Sequence, residues 1–171
     1  MATVADAAAI ARIGRVAFPP TYAESLDAAV IETVVAALYT DEAVAAPVCA
    51  AADDSRSRFL VVEQDGRIVG FLHYDEAGPE PELHRIYLEP EAIGSGAGSA
   101  LMNALHASLP PSSPYVLLVA VVNSRAIAFY ERHGLAVREA VDSVEYYRRI
   151  MGVDIDSDAE PYPAFIMERR S

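Results

Sequence analysis

In the stretch AIGSGAGSALM, residues 92–102, Gly94, Gly96 and Gly98 sit at every second position and lead straight into apolar residues at helical spacing. Glycines at a helix start let an anion reach unpaired backbone N–H groups at the positive end of the helix dipole, a place that suits a pyrophosphate. The spacing is neither the GxGxxG of a dinucleotide fold nor the GK[ST] of a P-loop, so a tight strand-to-helix turn is the competing reading. Just upstream, ELHRIYLEP, residues 82–90, reads as a strand with Glu82, His84, Ile86 and Leu88 on one face and Leu83, Arg85 and Tyr87 on the other. Glu82 and His84 then point the same way, a carboxylate that attracts cations beside an imidazole that titrates near neutrality. A solubilising glutamate and a packed histidine are the plain alternatives. A third stretch, DIDSDAEPYPAF, places Asp154, Asp156 and Asp158 at the spacing that opens a calcium loop. Ala159 holds the glycine position there and Phe165 that of the bidentate glutamate, so the stretch reads as a solvated acidic loop and no metal is expected.

The elements that must hold these residues follow from periodicity. Ile10, Ile13 and Ala17 keep helical spacing until Pro19-Pro20, and Leu26, Val30, Val34 and Leu38 resume it, so two or three helices open the chain. RFLVVEQDGRIVGFLHYDE has β-rich runs on both sides of Asp65-Gly66, a dipeptide that tolerates the positive φ angles of a hairpin turn. EAGPEPE breaks the chain, and the strand that follows stops at Pro90. After the glycines, Leu101, Leu105 and Leu109 line one helical face up to Pro110-Pro111, and YVLLVAVV, residues 115–122, is apolar on both faces like a strand covered from both sides. Strand, helix and strand in that order predict a parallel crossover. Ser124 to Arg132 is a short helix with Asn123 available as its N-cap, closed by His133-Gly134, and strands near 135–141 and 163–169 complete a mixed sheet. One α/β domain over residues 1–171 is expected.

Composition narrows the partners. Thirteen basic against twenty-five acidic side chains give a formal charge of −12, which repels phosphate backbones and anionic lipid and favours a cationic partner. Neither nucleic-acid nor membrane binding is expected, and the longest strongly apolar run, 115–122, is far too short to span a bilayer. Asp6, Arg12 and Arg15 disagree with a signal peptide, so a cytoplasmic location is expected. Cys49, the only cysteine, lies in the apolar APVCAAA and is expected to be a small buried side chain.

NSRAIAFYERHGL, residues 123–135, taken with LEPEAIGSGAGSAL, resembles the acetyl-coenzyme A binding core of the GNAT superfamily of N-acetyltransferases. The resemblance is good over roughly residues 58–138 and loose in the flanks. The family's loop pattern falls on Ile93, Gly96 and Gly98, and its later pattern on Asn123, Ala126, Tyr130 and Gly134. It implies a mixed, mostly antiparallel sheet with one parallel, splayed strand pair and helices on both faces. It implies acetyl-coenzyme A as co-substrate, with the pyrophosphate on Ile93, Gly94, Ser95, Gly96, Ala97, Gly98 and Ser99. The backbone of Ile86, Tyr87 and Leu88 would hold the pantetheine arm, with one N–H polarising the thioester carbonyl. Two departures stand out: Ile93 replaces the family's Arg or Gln, and Ser95 and Ser99 stand where basic side chains are frequent, leaving the phosphates to amides and hydroxyls. Leu135 replaces the usual aromatic residue.

The resemblance also places Tyr130 beside the thioester sulfur as general acid, where the alternative is an aromatic anchor between helix and sheet. Glu82 resembles the strand carboxylate that takes up the amine proton, with His84 as the competing base. A proton acceptor is needed because an alkylamine of pKa about 10.4 is neutral in only about one molecule per thousand at neutral pH. ELHRIYLEP, FPPTYAES and RIMGVDIDSDAEPYPAFIMER further resemble the bacterial spermidine/spermine acetyltransferase branch, which usually carries tryptophan where this chain has none. The expected activity is transfer of an acetyl group to a primary amine, a polyamine or another small cationic amine. A protein N-terminal or lysine acetyltransferase is the enzymatic alternative, and an acyl-coenzyme A binding sensor or interaction module the non-catalytic one. A homodimer is left open.

Overall fold

The computed structural model describes residues 1–145 and 161–169. Helices α1 (Ala7–Tyr22), α2 (Ala28–Leu38) and α3 (Asp41–Asp53) precede strands β1 (Ser57–Gln64), β2 (Arg67–Asp75) and β3 (Glu82–Leu88). Helix α4 (Ala97–Ser108), strand β4 (Tyr115–Ala120), helix α5 (Ser124–Arg132) and strands β5 (Leu135–Asp142) and β6 (Pro163–Arg169) follow. The strands form one sheet in the order β1-β2-β3-β4-β6-β5. Every neighbouring pair is antiparallel except β3 and β4, so the fold is the mixed α/β arrangement expected. Asp65 (φ 51) and Gly66 (φ 75) both take the left-handed conformation that a two-residue hairpin between β1 and β2 requires.

Two cores sandwich the sheet. On one face Ile10, Ile13, Phe18, Ile31, Tyr39, Val44 and Val48 of the first three helices pack on Phe59 and Phe71. On the other, Leu101, Met102 and Leu105 of α4 pack on Leu60, Leu72, Leu83 and Leu117, with Ile127, Phe129 and Tyr130 of α5 against them. Burying a Leu, Ile or Phe side chain is worth about 1.5 to 3 kcal/mol, so these faces fix which side of each strand looks inward. At the end of β3 the buried carboxylate of Glu89 accepts from Arg67 at 2.8 Å and pairs with Arg12, tying α1 to the corner where the chain leaves the sheet.

Several expectations are corrected. Helix α1 does not stop at Pro19-Pro20 but carries both prolines inside it. Phe18 stacks on Tyr22 at 4.5 Å between centroids, and the Thr21 hydroxyl donates to the Ala17 carbonyl at 2.7 Å, holding the turn after the lost amide donors. In α2 the buried residue is Ile31 and Leu38 is 45% exposed, one position off the expected stripe. Strand β4 ends at Ala120, two residues early. Cys49 is exposed, because Val44, Val48 and Ala51 form the inward face of α3. The acidic stretch with Asp154, Asp156 and Asp158 lies outside the described residues. No single helix among the described residues is long and apolar enough to cross a membrane.

Candidate active site

The parallel strands β3 and β4 share a single register pair, Glu82 with Val116, beside one further bond from the Val116 N–H to the Pro81 carbonyl at 2.9 Å. Beyond it they diverge. The backbone of Ile86, Tyr87 and Leu88 therefore has β2 along one edge and no strand along the other, which leaves polar groups free for an extended ligand. Tyr130 belongs to the core beneath α4 and Tyr22 to the side of the first three helices, yet the two phenols act on each other electrostatically. Burial, reinforced by Tyr22 and Tyr115, raises the Tyr130 phenol above its ordinary value, so it stays protonated at physiological pH. Tyr87 is likewise raised by burial and by Tyr22, with which it shares a hydrogen bond.

The glycine loop lies where β3 gives way to α4. Gly94 (φ 85) and Gly96 (φ 91) take the left-handed conformation, and an added Cβ at either would meet no atom within 4 Å. Gly98 serves differently: a Cβ there would lie 3.3 Å from the Phe129 ring and 3.5 Å from Leu88, so its absence lets α4 close against α5 and the end of β3. Of the first amides of α4, that of Ala97 donates to Ser95 Oγ at 3.3 Å, and those of Gly98 and Ser99 have no carbonyl of their own helix to bond. Both serine hydroxyls turn out to be engaged. Ser95 accepts from Gln64 at 2.9 Å and donates to the Ala92 carbonyl at 2.8 Å, while Ser99 pairs with His133 Nε2 at 3.1 Å. An anion here is left to backbone amides. Ile93 is 43% exposed at the loop edge, and Ala97 is buried under it. Asn123 caps α5, accepting the Ala126 N–H at 3.1 Å, and Ala126 packs on the core below α4.

On β3 the expected alternation is reset. The β2–β3 register jumps from His73 opposite Arg85 to Tyr74 opposite Leu83, so His84 is an extra residue in the ladder. Leu83, Ile86 and Leu88 consequently join the core below α4, while Tyr87 packs among Phe18, Tyr39 and Phe71 and Arg85 reaches the Tyr39 hydroxyl at 3.4 Å. Glu82 and His84 do stay together, with His84 Nδ1 3.4 Å from Glu82 Oε1, but Ile86 and Leu88 do not share their face.

Two residues that sequence reading passed over complete this group. His84 Nε2 donates to Asp75 Oδ2 at 2.8 Å, and His73 stacks over His84 with centroids 4.7 Å apart. Their signal lay in HYD, residues 73–75, which the hairpin register sets opposite ELHR. Donor atoms of His73, Asp75 and His84 lie within 4.8 Å of one another, but the His84 N–H already fills the space between ring and carboxylate with a proton. Burial pushes His73 down to about 3, helped by His84 and Arg85 and opposed by Asp75. Burial also disfavours charge on His84, yet its hydrogen bonds to Asp75 and Glu82 and their negative charge outweigh it and push His84 up to about 9. Asp75 is held down to about 2, chiefly by the same bond to His84.

This pair predicts a maximum in stability near pH 6.5. A histidine of unfolded pKa about 6.5 that is raised on folding stabilises fully below that pH, so the His84 contribution fades as pH climbs toward about 9. His73, lowered on folding, refuses a proton that the unfolded chain accepts, so stability also falls as pH drops from 6.5 toward about 3. Melting curves of wild type and His73→Phe test the acid limb. At pH 5.5 the variant should recover about 1.4 kcal/mol relative to its difference at neutral pH, or about 4 °C in Tm. An acid limb of unchanged slope in the variant would place the sensitivity elsewhere.

Comparison with known proteins agrees with this geometry. The acetyltransferase (GNAT) domain family matches residues 55–134, a little under half of the chain. A mycothiol acetyltransferase of Acidimicrobium ferrooxidans is 36% identical over 89 residues, 46% of this chain and 28% of that protein. An uncharacterized N-acetyltransferase of Methanocaldococcus jannaschii is 35% identical over 92 residues, 48% of this chain and 41% of that one. The chain thus spans less than half the length of these curated relatives. Among solved structures, the PaiA N-acetyltransferase of Thermoplasma acidophilum in complex with coenzyme A superposes with a TM-score of 0.74. The match is at 22% identity and covers 99% of this chain and 96% of that one. Residues 55–134 therefore match the acetyltransferase domain of the GNAT superfamily, and the chain around them has the fold of a solved N-acetyltransferase.

Proposed function

We propose that residues 1–171 form one N-acetyltransferase domain that moves an acetyl group from acetyl-coenzyme A to a primary amine of a small cationic acceptor, a polyamine being the leading class. The observation that carries the reading is the gap between β3 and β4, with free strand backbone on one side, the half-buried Tyr130 packed in the same core as Ile86 and Leu88, and the start of α4 beyond the glycine loop. A thioester arm laid along Ile86, Tyr87 and Leu88 would bring its carbonyl to a strand N–H and its sulfur toward Tyr130, with the pyrophosphate at residues 93–99. Glu82 first takes a proton from the acceptor's ammonium, the freed nitrogen attacks the thioester carbon, its second proton leaves to solvent, the C–S bond breaks and Tyr130 supplies the proton of the departing thiol. Glu82 is regenerated, and Tyr130 reprotonated, by exchange with solvent. The net charge of −12, together with Asp75 and buried Glu82 on the side facing the first three helices, supports a cationic acceptor.

The test is thiol release from acetyl-coenzyme A across a panel of polyamines, amino acids and peptide amines, alongside calorimetry of two loop variants. Gly96→Asn and Gly96→Asp bear nearly the same cost at φ 91, so their difference isolates charge. Gly96→Asp should lose coenzyme A affinity by at least about tenfold relative to Gly96→Asn, since its carboxylate opposes the pyrophosphate. Equal affinities would move the phosphate site away from this loop. Release with peptide amines alone would replace the polyamine class by a protein acceptor.

A further inference from the structure

We propose that Asp75 is a positioning residue that keeps His84 in its imidazolium form and thereby assigns the acceptor's proton to Glu82. Carboxylates accept hydrogen bonds and do not donate them, and His84 is set between two of them. Its Nε2 lies 2.8 Å from Asp75 Oδ2 and its Nδ1 3.4 Å from Glu82 Oε1. A ring that satisfies both neighbours bears a hydrogen on each nitrogen, and such a ring has no lone pair with which to take a proton from an amine. Asp75 is itself fixed, because its other oxygen accepts the Ala77 N–H at 3.0 Å. The extra residue in the β2–β3 ladder is what turns His84 toward Asp75, the last residue of β2.

The other groups facing His84 are consistent with one positive charge there and no more. His73, stacked at 4.7 Å with its Nε2 3.8 Å from Asp75, is buried and uncharged at neutral pH, and Arg85 turns its guanidinium to the Tyr39 ring, 5.7 Å from the centroid. Asp75 and Glu82 together balance His84 and leave one negative charge. The carboxylate of Glu82 is thus the group left to receive a proton, while the ion pair with His84 holds it in place. The inference rests on the acetyltransferase reading only in its kinetic consequence; the protonation of His84 does not depend on it.

The primary experiment is NMR titration of the His84 ring in the free protein, wild type and Asp75→Asn. In wild type the ring should titrate with a midpoint above pH 8. The amide side chain of the variant keeps an oxygen for the Ala77 N–H and loses the charge, so Asp75→Asn should bring the midpoint down by at least one pH unit. A wild-type midpoint near 6.5 overturns the inference without any variant, and so does an Asp75→Asn midpoint equal to that of wild type. Kinetics supplies the second arm once an acceptor is found. Glu82→Gln should cost at least tenfold more in kcat/KM at neutral pH in the wild-type background than in the Asp75→Asn background, where an uncharged His84 becomes a substitute base. Equal costs in the two backgrounds overturn the assignment of the proton to Glu82. If no amine elicits thiol release while the titration behaves as stated, the acetyltransferase reading fails and the role of Asp75 toward His84 stands.

Discussion

Tyr130→Phe should lower kcat for acetyl transfer by roughly 10²- to 10⁴-fold while the Kd for acetyl-coenzyme A, read by calorimetry, stays close to that of wild type. The substitution keeps the ring that packs on the core beneath α4 and removes only the hydroxyl. A departing thiolate of pKa about 8.5 in water is a poor match for a phenol of pKa about 10 or higher, and transfer looks uphill. Burial alters both partners in the same direction, because the desolvation that raises the Tyr130 phenol would also destabilise a thiolate placed beside it and raise its basicity. A donor fixed in a water-poor gap is worth most where bulk water cannot replace it. Stability should fall by only about 1 kcal/mol, the ordinary worth of one buried hydroxyl. Near-normal kcat combined with a lower Tm would make Tyr130 an anchor of α5 and assign the thiol proton to water.

Patterns that depend on neighbours in sequence could be read from the chain, and those that depend on neighbours in space could not. The hairpin at Asp65-Gly66, the N-cap at Asn123 and the span of β6 each follow from a local rule of turn chemistry, capping or alternation. Pro19 and Pro20 obey a local rule too, yet α1 runs through them, with the Phe18 and Tyr22 rings 4.5 Å apart across that turn. Strict alternation along β3 assigns Ile86 and Leu88 to the face of Glu82 and His84, and one extra residue at His84 reverses that assignment. No feature of ELHRIYLEP by itself marks the irregularity, which comes from how β2 pairs with it. The same pairing brings Asp75 and His73 to His84. The loop serines show the limit from another side: their types fit a phosphate site, yet Gln64, Ala92 and His133 claim their hydroxyls.

Glu82→Gln should lower kcat/KM for the acceptor by roughly 10²- to 10³-fold at pH 7 and progressively less as the pH rises toward the amine pKa of about 10.4. At neutral pH nearly every acceptor molecule arrives charged, and a carboxylate serves it twice, by attracting the ammonium and by accepting its proton. Glutamine preserves the size of a side chain that is only 5% exposed, so the core around it should survive. Recovery at high pH has two sources. The free amine becomes abundant, and His84, which in the variant keeps only Asp75 to hold it charged, loses its own proton more readily and becomes a base. The double variant Glu82→Gln/His84→Gln separates them, because its recovery should follow the amine alone and lag behind that of the single variant below the amine pKa of about 10.4. A loss that is equal at every pH would make Glu82 a binding contact that never takes the proton, and no loss at any pH would hand deprotonation of the acceptor to water.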